Sequence, residues 1–106
     1  MPYIKANRRE PLDMLVMDFA RVRDDYGMGE GELNYLFTRL LLEWVGRTRT
    51  YDLLSAARGI LQDVSDEFYR RVVTPFEELK RWENGDVYAR NPGDNQPASR
   101  PENPVA

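Results

Sequence analysis

Tyr69-Arg70-Arg71, taken with Arg39 and Tyr88, has the side chains of an anion pocket. Guanidinium forks hold phosphate oxygens two at a time, and tyrosine faces stack on planar bases. The plainer reading is a solvated helix face. Asp66 and Glu67 precede Arg70 and Arg71 by four residues each, the better orientation for i,i+4 ion pairs. Asn84-Gly85-Asp86-Val87-Tyr88 is a second candidate, because backbone N–H groups and the Asp86 carboxylate are free to touch a ligand beyond a helix end. Asn-Gly is also what a helix stop requires in any case. The ligand-binding candidates are therefore Arg39, Tyr69, Arg70, Arg71, Asn84, Asp86 and Tyr88.

The carboxylates suggest different chemistry. Asp63, Asp66 and Glu67 fall within two helical turns, and Glu77 follows. Carboxylates on facing helices can hold Mg²⁺ for nucleotide hydrolysis, as in all-α nucleotide pyrophosphohydrolases. Asp63-Val-Ser-Asp66 has a related spacing, but no Glu-x-x-Glu occurs. A magnesium set of Asp63, Asp66, Glu67 and Glu77 is thus the alternative to a binding protein with no cofactor.

Composition narrows the choice. The chain has no His and no Cys, which removes histidine bases, thiol nucleophiles, N/S-ligated zinc and disulfides. No Walker loop, dinucleotide-binding glycine pattern or serine-hydrolase elbow is present. The net charge of −3 argues against general binding to duplex nucleic acid. Its cations are lopsided, with 13 Arg against 2 Lys, which reflects either a GC-rich genome or forked recognition of oxyanions. Short apolar runs such as Leu40-Leu41-Leu42 cannot span a bilayer, and the first residues lack a signal-peptide layout. A cytoplasmic protein is expected.

The elements that must position these groups follow from periodicity. Residues 1–10 suggest an extended arm, and Pro11 suits the first turn of a helix. Leu12, Leu15, Val16, Phe19, Val22 and Tyr26 recur at helical spacing and predict a helix over 11–26, ended by the glycines at 27, 29 and 31. Leu33, Leu36, Phe37, Leu40, Leu41 and Trp44 predict a second over 32–46, apolar nearly all round and so expected to be the most buried. Thr50 is a candidate N-cap for a third over 51–73. Thr74-Pro75-Phe76-Glu77 has the form of a capping box, which would break the chain before a fourth helix over 75–83. Residues 86–88 are candidates for a short strand against residues 2–5. The fold expected is all-α, an antiparallel bundle of three to four helices: an arm (1–10), a helical domain (11–90) and a disordered proline-rich tail (91–106).

A third helix of about 22 residues is roughly 33 Å long and the second roughly 22 Å, so a simple bundle leaves the 64–72 half of the third to be covered by the fourth helix, the N-terminal arm or a second subunit. Surplus apolar residues such as Met14, Met17 and Leu42 point to a homo-oligomer.

Pro2-Tyr3-Ile4, Glu32-Leu33-Asn34-Tyr35, Tyr69-Arg70-Arg71-Val72-Val73-x-Pro75-Phe76-Glu77 and Glu83-Asn84-Gly85-Asp86-Val87-Tyr88 resemble an uncharacterised family of small proteins from phages, prophages and related prokaryotic genomes. The resemblance covers about residues 2–88. It implies action in the cytoplasm of a bacterial host and brings no activity with it. The function expected is a non-enzymatic accessory module. Its partners would be copies of itself and either a small anionic ligand, sequestered as a nucleotide-type signal in counter-defence, or a host protein.

Overall fold

The computed structural model describes residues 1–88 and 99–103. The described residues are all-α, with no strand. Helix α1 is Ala6–Tyr26, α2 is Glu30–Val45, α3 is Tyr51–Phe68 and α4 is Thr74–Asn84, and a π-helical turn, Tyr69–Val73, joins α3 to α4. The chain divides into two compact units, Met1–Leu61 and Gln62–Ala106.

In the first unit, α1 begins at Ala6, so the arm expected over residues 1–10 is confined to the first five. Ala6, Arg8 and Arg9 are good helix formers, and the Arg9 Nε–H donates to the Ile4 carbonyl at 2.9 Å, fixing the entry of the chain. Pro11 lies inside the helix rather than at its first turn. Without an N–H it cannot pair with the Asn7 carbonyl four residues back. Gly27, at φ 75°, ends α1, and Gly46, at φ 67°, ends α2. Thr50 caps α3 as expected, its hydroxyl oxygen accepting the Leu53 N–H at 3.2 Å.

The apolar stripe of α2 is present, but the helix is not enclosed. Val45 is its buried residue, while Phe37, Leu40 and Trp44 are each more than half exposed. With Ala57 on α3, Val45 makes up the buried apolar set of this unit among the described residues.

The second unit departs from the expected break. Thr74 has φ −60° and ψ −48°, helical values that an N-cap does not adopt, and its side chain makes no capping bond. The chain runs as one helix from α3 to α4 through the π-turn, where the Thr74 N–H donates to the Tyr69 carbonyl five residues back. Pro75 accounts for this. It cannot donate to the Arg71 carbonyl, and its ring would press on that carbonyl in a regular α-helix. One extra residue in the preceding turn makes room.

Leu79 is the buried side chain of α4, and Asn84-Gly85 stops the helix as expected, Gly85 taking φ 89°. Residues 86–88 form a turn rather than the strand expected there. Of the tail expected to be disordered, 91–106, residues 91–98 and 104–106 lie outside the described residues, as do residues 89–90 of the expected helical domain. Within its described part, Arg100 donates to Glu83 at 3.2 Å.

Candidate functional site

The π-turn displays Tyr69, Arg70 and Arg71 at the surface, with Tyr69 53% exposed. Such turns occur often at functional positions, because the extra residue re-aims side chains that a regular helix would hold in register. Arg70 turns back to Glu67, three residues earlier, instead of to Asp66. Asp66 accepts from the Gln62 amide at 2.9 Å. Glu67 is therefore taken by Arg70, and Arg71 is exposed with no side-chain hydrogen bond or ion pair to the described residues. Ser65, Asp66, Tyr69 and Arg70, without Arg71, line a shallow depression of about 380 Å³. Tyr69 and Arg71 are two residues apart, a spacing that on a helix does not set side chains face to face, so the exposed guanidinium and the exposed phenol ring are separate features of the turn.

Asn84, Asp86 and Tyr88 line a different depression of about 490 Å³, open to solvent. Arg81, not among the candidates from sequence, organises it. Its guanidinium donates to the Glu78 Oε2 at 2.5 Å and lies 3.6 Å from the Asp86 Oδ2, the latter an ion pair too long for a hydrogen bond. The Gly85 turn brings Asp86 back against α4, where its side chain is only 8% exposed and its Oδ1 accepts the Tyr88 N–H at 2.9 Å. The Arg81 Nε is buried without a partner. The clue available in the sequence was Glu78-x-x-Arg81 on one helical face, followed by an acid just beyond the Asn-Gly stop. Glu77, Glu78 and Asp86 outnumber Lys80 and Arg81 around this depression, so its charge does not favour an anion.

Glu83, on the next turn, receives the Lys80 ammonium at 3.2 Å and the Arg100 guanidinium at 3.2 Å. The hydrogen bond from Lys80, with Arg100 assisting, holds its carboxyl below the ordinary value of 4.5 against a smaller upward push from desolvation.

Arg39 belongs to the first unit, where it donates to the Tyr35 hydroxyl at a long 3.4 Å. The acids of the magnesium alternative are not gathered. Among the described residues no three acidic side chains are placed to share a cation. Asp66 and Glu67 are engaged by Gln62 and Arg70, and Glu77 lies ten residues beyond Glu67 along the helical run, roughly 15 Å at 1.5 Å per residue.

These features define an all-helical protein with polar, open surface sites and no assembled catalytic set among its described residues. Residues 1–87 match a domain of unknown function, DUF6899, and the chain belongs to that family. No curated protein and no solved structure matches it.

Proposed function

We propose that this chain is a non-enzymatic, phage-type accessory protein, a self-associating helical module that captures a small nucleotide-type anion in the bacterial host cytoplasm. The observation that supports the ligand is that the π-turn exposes both Tyr69 and Arg71, the latter a cation with no ion pair to the described residues. Arg39 of a neighbouring copy joins Tyr69, Arg70 and Arg71 in an Arg/Tyr-lined pocket between subunits. The observation that supports self-association is the exposure of Phe37, Leu40 and Trp44 on α2, whose burial is completed in an antiparallel helical assembly.

Titration calorimetry against cyclic nucleotides and ADP-ribose-type signals tests the reading. Wild type is expected to bind one of them with Kd below about 10 μM, roughly −7 kcal/mol. Arg71→Ala and Tyr69→Ala should each weaken that binding at least about tenfold, in line with the loss of a charge-assisted pair or of a stacking face. If no ligand of the panel binds at 10 μM, the captured-anion reading fails, and pull-down from host lysate then tests a protein partner for the same surface.

A further inference from the structure

Helix α1 carries its end charges the wrong way round for its own dipole. Its first turn holds Arg8 and Arg9 and no acid, whereas its last turn holds two acids, Asp24 and Asp25, against one base, Arg23. Cations at a helix N-terminus and anions at its C-terminus are each unfavourable, because the N–H and C=O ends already carry partial charge of the same sign. Little within the described residues relieves this. Arg8 and Asp25 take part in no ion pair, and Asp24 meets only its neighbour Arg23, at 3.0 Å. Between these ends lies an open apolar stripe, with Leu12 50%, Leu15 63% and Val16 62% exposed.

A second α1 running antiparallel answers both features. It sets a basic end against an acidic end twice over, opposes the two dipoles and covers the stripe. We infer that α1 is the self-association surface of this protein, pairing antiparallel with α1 of a second copy about a two-fold axis. Such an interface is isologous, so the one stripe must complement itself. The period of the stripe sets the register: Leu15 of one copy opposite Phe19 of the other, Leu12 opposite Val22, and Arg8 against Tyr26 with Asp25 beside it. Tyr26 is 84% exposed, so its ring is open to receive the Arg8 guanidinium. The inference rests on the self-association in the reading above and is independent of its ligand.

Charge reversal in two halves tests it by light scattering of the full chain over 1–100 μM, about two decades around the affinity of a typical weak dimer. Arg8→Glu with Arg9→Glu makes one variant, and Asp24→Lys with Asp25→Lys makes the other. Each alone faces like charge with like and should dimerise at least about tenfold more weakly than wild type. Their equimolar mixture should recover the wild-type mass as a 1:1 heterodimer. Both changes improve the match to the helix dipole, so unchanged or higher far-UV helicity separates lost pairing from unfolding.

An independent readout uses Arg8→Cys with Tyr26→Cys in this cysteine-free chain. The two sites lie roughly 27 Å apart along one helix and cannot bridge within it, so oxidation should yield a disulfide-linked dimer. If either reversed variant dimerises like wild type, the mixture stays monomeric, or the double-cysteine chain does not cross-link, the α1 assignment is overturned while self-association through another face survives. A monomeric wild type across the whole range overturns both.

Discussion

Arg70 and Arg71 differ in type from no other arginine here, yet their surroundings separate them. Arg70 is held by Glu67, and Arg71 is left to solvent. The i,i+4 rule predicts Arg70 with Asp66 and Arg71 with Glu67. It misses because it assumes a regular helix through residues that belong to a π-turn. Arg81 escaped notice for another reason. Its partner Asp86 lies past the helix stop, and only the positive φ of Gly85 folds it back within reach. Glu83 gives a prediction at this scale. Its folded carboxyl lies below the 4.5 of a free one, so its pairing with Lys80 and Arg100 stabilises the native state fully above that value and is lost as pH falls through the lower folded value. The denaturant midpoint of wild type should therefore exceed that of Glu83→Gln at neutral pH, with the gap closing below pH 4.5. A gap that does not narrow as pH falls below 4.5 would show that the ion pairs do not supply it.

At the scale of the element, periodicity showed the helical segments, and local chemistry placed several of their ends. Thr50, Gly46 and Asn84-Gly85 act as their residue types require. Thr74-Pro75-x-Glu77 does not, although it has the same kind of signature. A capping box needs an N-cap with extended backbone, and here the preceding turns keep Val73 and Thr74 helical, so the proline is absorbed by widening the helix. If Pro75 causes the π-turn, Pro75→Ala should let residue 75 donate to the Arg71 carbonyl and restore α-helical spacing. Removing one residue from the turn rotates everything before it by about 100° relative to α4. The variant should be as helical or more so, more stable by about 1 kcal/mol or more, and weaker in any ligand binding that uses Tyr69 and Arg71. Amide exchange of Thr74 and residue 75 would check this. A Thr74 N–H still bonded to Tyr69 would clear the proline of responsibility.

At the scale of the whole molecule, the all-helical class was legible because apolar residues recur every three to four positions through 12–82. Which side of each stripe is covered was not legible. The nearly all-round apolar character of α2 suggested the most enclosed helix, whereas Phe37, Leu40 and Trp44 lie in the open. Hydrophobicity fixes that a surface must be buried, but not whether the same chain or another copy buries it. Among the described residues the buried apolar side chains are Val45 and Ala57 in one unit and Leu79 in the other, a small store of burial for holding helices of this length. If copies of the chain supply the rest, stability is inseparable from concentration, because unfolding a dimer releases two chains. Each tenfold increase in protein then adds about 1.4 kcal/mol per mole of dimer. For a domain of this size that should raise Tm by roughly 3 °C or more per decade. Calorimetric scans at 5, 50 and 500 μM, about two decades in all, should therefore separate by several degrees. The charge-reversed α1 variants should lose that spread and regain it when mixed. Superimposable scans for wild type would mean that each chain is stable by itself, with the apolar faces of α1 and α2 left to a partner of another kind.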